Sequence, residues 1–126
     1  MRLWLRDPIA VLAEGAERGI VVEDGVIAEL VPTGAADPVH DAVYEASRHV
    51  VLPGLVNTHH HFFQTLTRAH PDAINRELFP WLKALYPRWG DHLNRDRFRL
   101  ATRLALTELL MSGCTTASDH LFVFPS

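Results

Sequence analysis

The sequence predicts an α/β fold in two parts, and three observations carry that prediction. The first is a leader, through Leu52, made of short β-branched runs broken by turn residues. The second is the style of the remainder, where an apolar strand, two helical stretches and another short strand follow in turn. The third is composition. Hydrophobic residues make up 48% of the 126 residues and charged residues 21%, the balance of a packed globular chain.

The leader is read as follows. Arg2–Arg6 is a strand, and Gly19–Val22 and Val26–Val31 are two more, separated by Glu23-Asp24-Gly25. Asp-Gly between β-branched runs marks a hairpin, because both turn positions accept positive φ. Thr33–Pro38 is a loop, rich in Gly, Asp and Pro. His49–Leu52 is a further short strand, closed by Pro53-Gly54.

In the second part, Leu55-Val56-Asn57-Thr58 is expected to be a buried strand that runs into three consecutive histidines, His59, His60 and His61. Leu78, Trp81, Leu82 and Leu85 fall at i, i+3, i+4 and i+7, so one helical face is apolar. Pro80 suits the first turn of that helix and Pro87 is expected to end it. Asn94 is the expected N-cap of a second helix, with Asp96 in its first turn and Gly113 as its C-cap. Its apolar stripe is Phe98, Ala101, Ala105 and Leu109, with Leu104 and Leu110 beside it; Arg99 and Arg103 take the solvated side. Cys114–Ser118 is a β-prone segment ending at Asp119-His120. Strands separated by helices imply parallel pairing. A sheet of only two parallel strands has uncovered faces, so the chain is expected to be the start of something larger.

Several function classes are disfavoured. The formal net charge is −3, with no basic cluster that would track nucleic acid. No apolar run nears the roughly 20 residues of a membrane span. Asp7 and Pro8 interrupt the N-terminal apolar stretch, so no signal peptide is expected. Cys114, the single cysteine, has no internal partner for a disulfide, which fits a reducing, cytoplasmic setting.

Eight histidines are the unusual count. Side chains alternate along a strand, so His59 and His61 share one face and His60 the other. Two imidazoles at the C-terminal end of a parallel strand can hold one divalent metal, at about 2.0–2.1 Å for zinc. Such an ion lowers the pKa of water, so hydroxide becomes available near neutral pH.

The stretch Val51-Leu52-Pro53-Gly54-Leu55-Val56-Asn57-Thr58-His59-His60-His61-Phe62-Phe63-Gln64-Thr65-Leu66-Thr67-Arg68 resembles the first barrel strand of the amidohydrolase superfamily. Leu78–Leu82 and Ser112–His120 match the same group. The likeness is greatest to the cytosine/guanine deaminase and triazine hydrolase branch, in particular to its 8-oxoguanine-deaminating members. It implies an N-terminal portion of a (β/α)8 metal-dependent hydrolase barrel, residues 53–126, preceded by strands of a small composite β-sandwich, residues 1–52. It implies metal ligands at His59 and His61 and one divalent ion, zinc before iron or manganese. Gln64 aligns with a glutamine that hydrogen-bonds the substrate's polar ring edge, and His120 is a second substrate-side candidate. The implied reaction is attack of hydroxide on a ring carbon bearing an amine, with ammonia leaving. The implied partners are a small heterocyclic substrate and further copies of the full-length chain, with neither nucleic acid nor membrane. The remaining ligands and the acid/base residues belong to strands beyond Ser126, in roughly 190 further residues of a barrel of ~250. No catalytic residue is therefore assigned within the chain.

Plainer roles compete at each position. His59 and His61 could sit in a solvated loop, and His60 is expected to pack behind the strand. Gln64 could be a polar residue at a helix start, and His120 and Asp119 could cap or pack. Trp81, Trp89 and Tyr86 could roof a flat ring, although Trp81 also belongs to a core stripe. Cys114 is expected to be buried and inert, and His40, His49, His70 and His92 receive no role. Two other readings stay open: a triazine-type chlorohydrolase or aminohydrolase of the same superfamily, and a truncated, non-catalytic fragment.

Overall fold

A computed structural model describes residues 1–122. The chain forms two compact units, Met1–Pro53 and the segment from Gly54 onward. In chain order the first unit contains β1 (Arg2–Arg6), β2 (Ala10–Val11), β3 (Gly19–Glu23), β4 (Val26–Leu30), β5 (Ala42–Glu45) and β6 (Val50–Val51). Four of these make a sheet in the order β4-β3-β1-β5, and β2 pairs with β6.

The β3–β4 hairpin turns where the Asp-Gly pair requires: Asp24 and Gly25 have φ of 48° and 83°. A bulge between Val21 and Val22 adjusts the register against β4. Trp4, at the centre of β1, faces Val21 on one side and Val43 on the other. Its ring is fully buried with Val21 and Val31, and its Nε1–H donates to the Arg18 carbonyl at 3.2 Å. Burying an indole together with a partner for its N–H gains apolar burial without orphaning the donor. Gly19 is required by both conformation and space: its φ is 110°, and a Cβ there would meet the Leu5 carbonyl oxygen at 1.8 Å. β2 and β5 are absent from the local sequence reading. β5 is defined by parallel pairing of Leu3–Arg6 with Ala42–Glu45, a contact no local pattern announces.

The second unit contains β7 (Leu55–His60), a 3₁₀ turn (Phe62–Thr67), α1 (Leu78–His92), α2 (Arg95–Met111) and β8 (Cys114–Asp119). β7 and β8 pair in parallel, with both helices between them in the chain. Gly54 lets β7 enter this pairing, since a Cβ there would lie 2.0 Å from the Thr115 Oγ1. Asn94 caps α2 as expected, its side chain accepting from the Arg97 N–H at 3.0 Å. Gly113, at φ 83°, closes the far end.

Two expectations are corrected. Pro87 does not end α1, which continues to His92. The helix carries on because Leu85 and Trp89 are both buried in the core, with Trp81 packed against them. Proline removes only one N–H, the partner of the Lys83 carbonyl, and Lys83 and Pro87 are both exposed. The Arg88 guanidinium also donates to the Ala84 carbonyl. The second correction concerns β7, which is not a buried strand: Leu55 is 56% and Val56 64% exposed. With one neighbouring strand and α2 packed mainly on the 3₁₀ turn, its faces stay open among the described residues. The core lies instead to the side, where Phe63, Ala73, Leu85 and Trp89 are buried together. No helix among the described residues is long and apolar enough to cross a membrane.

Candidate functional site

The C-terminal ends of the parallel pair β7 and β8 bring three imidazoles together. His59 and His61 meet edge to face with ring centroids 5.1 Å apart. His120, which follows β8, stacks on His59 at 4.3 Å and lies 5.7 Å from His61. β7 itself stops at His60, and His61 follows at φ −127° and ψ 86°, with its ring beside that of His59. His60 also borders the cleft beside the pair, but its ring packs on Phe62 at 4.9 Å, and its Nδ1 is buried with no hydrogen-bond partner among the described residues.

Contacts between the strand ends fix this arrangement. The His120 N–H donates to the His60 carbonyl at 2.7 Å, extending the parallel pairing past β8. The His61 Nδ1–H donates to the His120 carbonyl, also at 2.7 Å. That bond leaves Nε2 of His61 as the nitrogen with a free lone pair, the way a second hydrogen bond orients a metal-ligating histidine. Asp119 accepts the Phe62 N–H at 3.0 Å. Its carboxylate thereby ties the end of β8 to the start of the 3₁₀ turn. This main-chain contact is the place the structure gives Asp119.

The 5.1 Å centroid separation of His59 and His61 is one that two imidazoles on a single divalent cation would have. Two imidazoles sharing a tetrahedral ion at about 2.0–2.1 Å hold their ring centroids about 5 Å apart. The donor set stops there: among the described residues no group of three or more His, Cys, Asp or Glu is placed to hold an ion.

Beside the pair opens a cleft of about 580 Å³, lined by His59, His60, His61, Gln64, Arg76 and Trp81 among others. Gln64 reaches it from the 3₁₀ turn, where its N–H donates to the His61 carbonyl at 3.0 Å. His120 is not part of the cleft wall. Of the aromatic candidates, Trp81 lines the cleft, and Trp89 is buried against Phe63 at 5.1 Å with its Nε1–H on the Thr67 hydroxyl. Tyr86 stands away from the cleft, stacked on Phe122 at 5.9 Å. Cys114 is buried, its thiol donating to the Thr116 carbonyl at 3.2 Å.

Among the described residues the cleft has no Asp or Glu in its wall. One of its cations, Arg68, is taken up by Glu108 through two contacts at 3.0 and 2.5 Å. The Arg68 hydrogen bond holds the Glu108 carboxyl below the usual carboxylate range, and Glu108 in turn raises Arg68. The sequence reading missed the His61–His120 carbonyl bond and the segment Ala69–Arg76 along the cleft. The first joins residues 59 positions apart, and the second carries no periodic pattern to mark it.

Comparison with known proteins places this geometry. The model of the amidohydrolase family matches residues 50–124. The chain is 57% identical to 8-oxoguanine deaminase of Pseudomonas aeruginosa, over 98% of this chain and 28% of that protein. It is 42% identical to an isoxanthopterin deaminase from an unknown prokaryotic organism, over 67% of this chain and 17% of the relative. It is 34% identical to hydroxydechloroatrazine ethylaminohydrolase of Pseudomonas sp. (strain ADP), over 82% and 23%. Among solved structures, the triazine hydrolase from Arthobacter aurescens shares the fold, with a TM-score of 0.78 at 22% identity over 94% of this chain and 28% of that one. The chain spans between about a sixth and just over a quarter of the relatives it matches. A mixed α/β unit with two parallel strands, histidines at their C-terminal ends and a family match over most of its length belongs to the amidohydrolase family.

Proposed function

We propose that the complete protein carrying this chain is a metal-dependent hydrolase that removes an amino group, as ammonia, from a nitrogen heterocycle of the 8-oxoguanine type. The observation that carries this reading is the His59–His61 pair, with the His61 Nδ1–H on the His120 carbonyl. The similarity to 8-oxoguanine deaminase supports the substrate class. In this reading residues 1–52 are strands of a composite β-sandwich, and residues 53–126 are the first two strands and intervening helices of a (β/α)8 barrel. Barrel enzymes build their sites at the C-terminal ends of strands, which is where the histidines lie.

Within that site His59 and His61 would hold the ion, zinc or iron before manganese on ligand type, since imidazole suits the first two and manganese favours oxygen ligands. An ion held there would supply the acidity that makes hydroxide available near neutral pH. The His120 carbonyl keeps the His61 ring in the tautomer that presents Nε2. Gln64 offers an amide donor and acceptor to the ring edge, and the His120 ring is the second candidate on the substrate side. Trp81 supplies an apolar wall for a flat ring. Asp119 keeps the two strand ends in register through the Phe62 N–H. The same reading carries homo-oligomeric assembly and a cytoplasmic setting.

The test is ammonia release from 8-oxoguanine by the zinc-loaded complete protein. No ammonia from any oxopurine, pterin, cytosine or triazine sinks the proposal. Elemental analysis of H59A and H61A gives a readout independent of turnover, and both variants are expected to lose bound metal. The 126-residue chain alone, with half of a four-ligand shell, is expected to bind zinc weakly and to be inactive. A second reading, a triazine-type chlorohydrolase or aminohydrolase, is favoured by the likeness to hydroxydechloroatrazine ethylaminohydrolase. Chloride or amine release from a triazine panel separates it from the first.

A further inference from the structure

We infer that Arg76 is a specificity residue that selects ligands presenting an anionic oxo edge to the cleft. Among the described residues the cleft wall holds two guanidinium groups and no carboxylate side chain. Arg68 is already engaged by Glu108 in a two-contact pair. The Arg76 side chain has no hydrogen bond or ion pair among the described residues, yet it lines the same cleft as His59, His61 and Gln64. A guanidinium on an acid-free wall attracts negative charge, and its planar fork suits an oxo or carboxylate edge.

The backbone holds Arg76 at that wall. The segment that carries it leaves the 3₁₀ turn through Ala69, at φ 57°, and reaches Arg76 through Asn75, at φ 56°. A left-handed alanine is a strained conformation that surrounding contacts must maintain. Three such contacts are present: Ala73 is buried in the core, Asp72 pairs with Arg88 at 2.5 Å, and the Arg76 N–H donates to the Ala73 carbonyl at 3.2 Å. The loop is thus anchored at its middle, and Arg76, which precedes the α1 N-cap Glu77, lines the cleft.

The inference takes its ligand class from the heterocycle reading above, but its test does not need turnover. Urate is an anionic oxopurine with no amine to lose, and hypoxanthine is a neutral one. Their binding to the complete protein is read from tryptophan fluorescence. The wild type is expected to favour urate over hypoxanthine. R76Q is expected to lose about tenfold or more of urate affinity, the scale of a charge-assisted hydrogen bond, with hypoxanthine little changed. R76K, which keeps the charge and loses the fork, is expected to fall between. Equal urate affinity in wild type and R76Q overturns the inference, as does equal weakening of both probes or no urate binding by the wild type. Ammonia release is scored separately. A deaminase whose urate binding ignores Arg76 leaves the function standing and removes this residue. Arg76-dependent urate binding without ammonia from any ring does the reverse.

Discussion

The two units of this chain bury their strands differently. In the first, β1 lies inside a four-stranded sheet, and Trp4 has no exposed surface. In the second, β7 has one neighbour, and Val56 keeps 64% of its surface. β1 is the more apolar strand, yet even the two apolar residues of β7, Leu55 and Val56, are exposed, so composition alone does not make the difference. Neighbours do. β1 has a strand on each side and a sealed apolar cluster, whereas β7 has β8 alone and sends its packing into the turn that follows it. That turn carries Phe63 into the core and Gln64 to the cleft. The strand with the unfinished surroundings is the one that carries the histidines.

The largest expected effect tests the sealed side. Trp4→Ala removes a fully buried indole and one of the two donors to the Arg18 carbonyl, the Asp7 N–H remaining. It is expected to cost about 3–5 kcal/mol, read by urea denaturation. A loss near zero would mean the first unit's cluster is not what stabilises it. Next comes the core of the second unit. Leu85→Ala is expected to cost about 2–5 kcal/mol because Leu85 is buried with Phe63, Ala73 and Trp89. By contrast, Val56→Thr on the open strand is expected to stay within about 0.5 kcal/mol, since it removes little buried surface. If Val56→Thr in the isolated chain matched Leu85→Ala, the contrast between the two sides of this unit would be wrong.

What the sequence made legible follows the same division between local and distant contacts. The Asp24-Gly25 hairpin, the Asn94 cap and the Gly113 stop are local rules, and each operates as read. Period-two alternation set His60 apart from His59 and His61, and the rings are arranged that way. β5 was invisible because its partner lies about 40 residues earlier in the chain. Pro87 misled for a related reason. The rule that proline ends helices is local, and burial of Leu85 and Trp89 on both sides of it overrides the rule. At the site, the donors were readable and their orientation was not. The carbonyl that fixes His61 belongs to the end of another strand, and only the parallel pairing brings it there.

A smaller effect tests the α2 cap. Asn94→Ala removes the acceptor for the Arg97 N–H and is expected to cost about 1 kcal/mol, while Asn94→Asp is expected to retain most of it. A full loss in the aspartate variant would place the role of Asn94 outside capping.

The smallest effect concerns the Arg68–Glu108 pair, which joins the end of the 3₁₀ turn to α2 beside the cleft. The Arg68 hydrogen bond lowers the Glu108 carboxyl pKa in the folded protein. A carboxyl depressed on folding adds stability above its unfolded pKa and loses it as pH falls through the folded value. The pair's contribution is therefore present at neutral pH and declines as pH falls below the ordinary glutamate range. Because both side chains are solvated, the size is small and falls further with salt. Glu108→Gln is expected to flatten that part of the acid limb of the stability curve, with little change at high salt. It also releases Arg68 as a second unpaired cation on the cleft wall, so it bears on the ligand side as well. If Arg76 owes its selectivity to being the unpaired guanidinium there, urate affinity should rise modestly in Glu108→Gln. Selectivity that depends on the Arg76 fork alone would leave urate affinity where it was.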